Sequence, residues 1–82
     1  MNTVIRVTPL AGSRLKLTFA DGFIGTADVR PFIGKGFTES LLEPDQFDQV
    51  ATEPGGGIAW SNGFDLCPEF LRELAGKRQA AT

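Results

Sequence analysis

The chain has 82 residues, a formal net charge of −2, 41% hydrophobic and 22% charged residues, ten glycines, five prolines and no histidine. That length is one compact unit with a thin core, and the balance excludes collagen-like, low-complexity and disordered classes. Without histidine the commonest general base and zinc ligand is missing, a pI of about 4.9 has the wrong sign for gripping a phosphate backbone, and no apolar run approaches the roughly 20 residues of a membrane span.

Residues 3–8 are rich in β-branched side chains and predict a first strand, closed at Pro9 by a turn through Leu10, Ala11, Gly12 and Ser13. Arg14, Lys16 and Thr18 then alternate with Leu15, Leu17 and Phe19, which predicts a half-buried second strand with three apolar side chains on one face. Asp21-Gly22 predicts a type I′ turn, with both residues at positive φ, and residues 23–29 return as a third strand. Pro31 ends that strand and opens an irregular stretch through Gly36. Residues 39–43 form one helical turn around Leu41 and Leu42, and residues 44–47 another. Two short strands follow at 48–52 and 57–60, joined across Glu53, Pro54, Gly55 and Gly56, and Asn62-Gly63 makes a further turn.

The chain closes on a helix with readable punctuation. Cys67 stands at the N-cap, Pro68 at N1, Glu69 in the first turn and Gly76 just past the last, with Phe70, Leu71, Leu74 and Ala75 as the apolar stripe and Glu73–Lys77 as a favourable pair. The predicted fold is α+β: a small antiparallel sheet of about five short strands, short mid-chain helical turns, and a C-terminal helix packed on one face. Residues 1–77 form the domain and 78–82 a flexible tail, with no internal repeat.

Few residues suggest chemistry. Gly55, Gly56 and Gly57 lack the Lys and Ser or Thr of a phosphate loop and read as a hairpin connection. Cys67 sits where a helix N-terminus lowers a thiol pKa, but no histidine is present to act as its base, and as the only cysteine it has no disulfide partner in the chain, which together with the lack of an export signal points to the cytoplasm. Asp28, Asp65 and Glu69 match no metal-loop spacing, so no cofactor or metal is expected, although a small-ligand or metal-binding domain around Asp65, Glu69 and Cys67 is the alternative reading. Trp60, the single tryptophan, either covers the last helix with its indole N–H bonded at the rim or anchors an interface. The clearest surface signal is charge: Glu39, Glu43, Asp45, Asp48, Glu53, Asp65 and Glu69 occur between Lys35 and Arg72 without one basic residue. Such a stretch is either a solvated acidic face or an electrostatic docking surface for a basic protein.

The stretch Ile58-Ala-Trp60-Ser-Asn62-Gly63-Phe-Asp65-Leu-Cys-Pro68-Glu69-Phe-Leu71 resembles the closing motif of a family of small bacterial proteins known as domain of unknown function twenty-four forty-two. Phe19-Ala-Asp21-Gly22, then Asp28-Val29 and Phe47, are similar to that family's hairpin and mid-chain aromatic, while Cys67 replaces its usual Ser or Thr. The resemblance implies an α+β fold in which Asp21, Gly22, Trp60, Asn62, Gly63, Asp65, Pro68 and Glu69 are structural, and no catalytic residues. It also implies a genetic setting similar to toxin–antitoxin pairs. The expectation is therefore a non-catalytic, cytoplasmic interaction module, antitoxin-like, that meets a small basic protein through Glu43, Asp45, Asp48, Glu53 and Trp60. No nucleic acid or membrane partner is expected. Homo-oligomerisation through an uncovered sheet face is a third reading, with Val4, Ile24 and Val29 as candidates.

Overall fold

In a computed structural model, the backbone of residues 2–80 and the side chains through residue 76 are described. The fold is α+β, with antiparallel strands and a C-terminal helix as expected, but the strands divide into two three-stranded meanders instead of one sheet. The first is β1 (Val4–Leu10), β2 (Arg14–Phe19) and β3 (Ile24–Asp28), in that order. The second is β4 (Ala51–Thr52), β5 (Ile58–Ala59) and β6 (Asp65–Leu66), the last of which had read only as part of a turn. The Val4 N–H donates to the Gly56 carbonyl at 2.8 Å and ties the two together.

Alternation on β2 sets the core. Leu15, Leu17 and Phe19 point inward and are sealed, against Ala27 and Val29 from the β3 side and Val4 from β1. A register shift between Val4 and Arg6 lets Val4 face in while Ile5 and Arg6 both face out. Val4 and Val29, proposed above for an exposed sheet face, are therefore core residues, and Ile5 and Ile24 are the exposed pair. Pro9 does not end β1, because it lies where an edge strand can spare an N–H.

Between the meanders the chain makes a 3-10 turn at Arg30–Phe32, a longer 3-10 helix at Gly36–Leu42 and the single-turn helix α1 (Pro44–Phe47). Asp48 closes α1 in a helical conformation, and Gln49 and Val50 extend the turns with bonds to Gln46 and Phe47, so the strand expected from residue 48 begins only at Ala51. Thr38, the one buried polar side chain among the described residues, fixes the preceding loop. Its hydroxyl donates to the Lys35 carbonyl at 2.7 Å and accepts from the Gly34 and Lys35 N–H groups.

Helix α2 (Pro68–Ala80) begins with the Leu71 N–H bonded to the Cys67 carbonyl at 3.1 Å. It continues through Gly76, predicted to lie beyond its end, because Lys77, Arg78, Gln79 and Ala80 are all strong helix formers that outweigh one glycine at about 1 kcal/mol. The tail predicted at 78–82 and the Lys77 side chain lie largely outside the described residues.

Three hairpin loops share one geometry. Phe19 donates to the Phe23 carbonyl (2.8 Å), and Gly22 donates to Phe19 (2.9 Å) with φ at 95°. Trp60–Phe64 repeats this with Gly63 at 98°, and Glu53–Gly57 with Gly56 at 95°. Each is a three-residue loop in which a tight turn is followed by a left-handed residue, for which glycine is the low-cost choice. Asp21 is not at positive φ, so the type I′ turn expected at Asp21-Gly22 is not the one formed. Its carboxylate instead accepts the Phe23 N–H at 3.1 Å, as the Asn62 side-chain oxygen accepts the Phe64 N–H at 3.1 Å.

The likeness extends beyond the loops and reveals an internal repeat. Leu17, Phe19, Asp21, Gly22, Phe23, Val29 and Pro31 correspond to Ile58, Trp60, Asn62, Gly63, Phe64, Leu66 and Pro68. Asp28 follows Phe23 by five positions and Asp65 follows Phe64 by one; the difference is even, so side chains keep their faces. Each half is clamped by the helical segment of the other. Arg72 of α2 pairs with Asp21 at 3.1 Å and stacks 4.1 Å from the centre of Phe23, while Asn62 donates to the Phe37 carbonyl at 3.0 Å and Phe37 meets Phe64 edge-on. Phe32 and Phe70, each shortly after the proline of its half, meet edge-to-face at 5.1 Å.

Candidate functional site

A groove of about 480 Å³ lies between the β1–β2 tip and the helical turns of the first half. The tip contributes Pro9, Leu10 and the loop Ala11, Gly12 and Ser13; Leu41, Leu42, Pro44, Phe47 and Asp48 form the other wall.

Each wall is held in place. Gly12 and Ser13 both occupy the left-handed region, at φ 78° and 59°, and Ser13 is the one non-glycine residue to do so among those described. That conformation costs a side chain of order 1–2 kcal/mol and persists because neighbours enforce it. The Ser13 carbonyl accepts the Val29 N–H at 3.1 Å, and the Arg14 side chain donates to the Ala11 carbonyl at 3.1 Å, which stitches the tip shut. Opposite, the tryptophan fixes α1: the Trp60 indole N–H donates to the Phe47 carbonyl at 2.9 Å, and the Phe47 and Trp60 rings pack with centroids 5.6 Å apart.

Trp60 is thus a core residue, 4% exposed, and offers no surface to a partner, contrary to its inclusion among the contact residues. Its indole N–H is satisfied inside the protein by a carbonyl of α1, away from the last helix.

The predicted acidic residues separate into two places. Glu43, Asp45 and Asp48 are exposed on and around α1, with Asp48 in the lining of the groove and Glu43 and Asp45 at the start of the same helix. Glu53 sits at the β4–β5 turn, half-buried, beside a separate small cleft it shares with Asp65 and Cys67. Asp65 of β6 pairs with Ala59 of β5, and the turn between those strands is held by the Asn62 side chain. Glu69 occupies the first turn of α2 and Cys67 is exposed ahead of it. Among the described residues no three His, Cys, Asp or Glu side chains converge to hold a metal ion, so Asp65, Glu69 and Cys67 do not gather as a metal centre. No helix of the structure is long and apolar enough to cross a membrane.

Asp21 is the residue whose titration is clearly displaced. Its carboxyl lies below the ordinary aspartate value, chiefly because the charged form accepts the Phe23 N–H, with Arg72 adding a hydrogen bond and an opposite charge. This is a structural clamp, and neither Asp21 nor Arg72 lines the groove.

The groove itself was missed in the sequence. One signal for it was present: Leu41 and Leu42 are consecutive in a short helix, where only one can face the core, and Leu42 is the one left exposed, at 38%.

The chain belongs to the family described as Protein of unknown function (DUF2442), whose model matches residues 4–77 and so covers both meanders and most of α2. No curated protein and no solved structure matches it.

Proposed function

We propose that this member of the family is a non-catalytic, cytoplasmic interaction module that docks a basic segment of a partner protein in the groove between the β1–β2 tip and α1. The observation that carries this reading is the groove's composition. Most of its lining residues are apolar, among them Leu10, Leu42 and Pro44, while its surface is polar and apolar in nearly equal parts, and the charged side chain in it is a carboxylate, Asp48, with Glu43 and Asp45 at the start of the adjoining helix. A partner side chain of aliphatic type would fill the floor while Lys or Arg residues beside it meet the lip. Both walls are pinned by hydrogen bonds, so little ordering entropy is lost on binding. An antitoxin-like role, in which the partner is a small basic toxin, follows if that partner is harmful when alone.

The test is affinity capture from the source cell with the wild-type chain and two variants, Leu42→Ser and the triple reversal Glu43→Lys/Asp45→Lys/Asp48→Lys. A basic protein held in stoichiometric amount by the wild type and lost from both variants supports the groove. A partner that survives both substitutions places the contact elsewhere and overturns the proposal. Growth arrest by that protein expressed alone, relieved by co-expression, assigns the antitoxin role.

A further inference from the structure

We infer that copies of this chain associate head to tail, the outer face of the β1–β2–β3 sheet docking on the α1 surface of a second copy. The molecule is a slab of 32 × 30 × 17 Å, and its first meander turns one broad side to the core and the other to solvent. The solvent side carries exposed Ile5 and Ile24, Arg6, Thr8 and Lys16, with half-buried Thr18, around a shallow concavity of about 390 Å³. In the β1–β2 register Arg6 lies opposite Thr18 and Lys16 opposite Thr8, so the two cations stand diagonally across the strand pair. No acidic side chain belongs to that lining.

What complements this face is on the same chain. Residues 2–38 hold five basic side chains against two acidic ones, and one of those two, Asp21, is occupied by Arg72. Residues 36–71 hold seven acids and no base, of which Glu43, Asp45 and Asp48 are exposed around α1 beside exposed Leu42. Phe47 of α1 packs into the core that the sheet's inner face lines, so these acids surround a helix on the inner-face side of the sheet, while Arg6 and Lys16 stand on its outer face. Two cations flanked by isoleucines on one side, and three carboxylates beside a leucine on the other, are complementary in charge and in apolar content. Face-to-face pairing of two sheets would instead oppose Arg6 and Lys16 to their own copies, so the favoured contact joins unlike surfaces and propagates into chains or rings. It also covers the groove until a tighter partner displaces the neighbouring copy.

Sedimentation velocity against concentration and salt tests this. The wild type should associate at low ionic strength and sediment as a monomer at about 1 M salt, where the screening length is about 3 Å. Arg6→Glu/Lys16→Glu should be monomeric alone, and so should Glu43→Lys/Asp45→Lys. An equimolar mixture of the two should associate again, since each then meets the opposite charge. A wild type that stays monomeric at low salt, or a mixture that fails to associate while both variants keep the wild-type circular dichroism, overturns the inference. Association of the Arg6→Glu/Lys16→Glu variant by itself does the same. That variant leaves Leu42 and the α1 carboxylates intact, so its capture of a basic partner is preserved, and loss of self-association is distinguishable from loss of partner binding.

Discussion

Helix α2 comes so close to β3 that a single methyl group decides the contact. Gly25 is buried, and a Cβ built there would lie 2.9 Å from the Ala75 Cβ and 3.0 Å from the edge of the Phe23 ring. The ring cannot retreat freely, because the Arg72 guanidinium lies over it 4.1 Å from its centre. Gly25→Ala therefore overpacks the interface, at a cost of about 1–3 kcal/mol. Ala75→Gly alone loses about 1 kcal/mol of helix propensity and about 1 kcal/mol of buried methyl. In Gly25→Ala/Ala75→Gly the methyl has only changed sides, so the principal clash is gone, and the double variant should be no more than about 2 kcal/mol below wild type. That corresponds to a coupling of about 1–3 kcal/mol, within the range measured for residues in contact. Urea unfolding followed by Trp60 fluorescence measures it, since at a slope of about 1 kcal/mol per molar each kcal/mol moves the midpoint by about 1 M. Strict additivity of the two single substitutions would refute the account, because it would mean that the helix and strand do not touch at this point.

Trp60→Phe keeps an aromatic ring but removes the indole donor to the Phe47 carbonyl, which keeps only the longer 3.3 Å bond from the Val50 N–H, at a cost of about 0.5–1.5 kcal/mol. A thermal scan should show a fall of about 4–8 °C, and an unchanged midpoint would show that the indole bond adds nothing to stability. Gly22→Ala and Gly63→Ala should cost about 1–2 kcal/mol each and agree closely, because a Cβ at either site meets nothing within 4 Å and only the left-handed backbone is penalised. A large difference between them would break the equivalence of the two loops. For Asp21, the folded-state pKa lies below 3.8, so its clamp is fully present above that value and is lost as pH falls through the lower, folded-state pKa. The stability gap between wild type and Asp21→Asn should thus narrow in acid titrations below about pH 3.8, and a gap that widens toward low pH would contradict the assignment.

Local signals in the sequence were dependable where one short-range interaction decides the outcome. The alternation from Arg14 to Phe19 specifies which side chains of β2 are inside, and Pro68 after Cys67 marks the start of α2. Features set by the other half of the molecule were not legible. Trp60 is directed inward by the Phe47 carbonyl, 13 positions earlier, and the side chain of Asn62 is engaged by Phe37, 25 positions earlier. The division into two meanders was hidden for a related reason. The second is so abbreviated that β4, β5 and β6 hold two residues each, too few for alternation to register, and its kinship to the first survives only in the loop and the residues around it. The groove escaped because its walls come from residues 9–13 and 41–48, neither of which carries a motif.

The repeat also accounts for where the groove lies. In the second half, the chain after Pro68 runs on as one continuous helix, and that helix fills its slot against β3 so closely that Gly25 cannot bear a side chain. In the first half, the corresponding chain after Pro31 is broken. Gly34 and Gly36 take left-handed conformations and Pro44 restarts the helix, giving a 3-10 turn, a 3-10 helix and one turn of α-helix in place of one rod. Broken segments cannot pack flush along a strand, so a space remains beside the β1–β2 tip, with Leu42 left at its edge. The asymmetry between two otherwise equivalent halves is therefore the source of this groove, and substitutions that turned the interrupted stretch into a regular helix should close it while leaving both meanders in place.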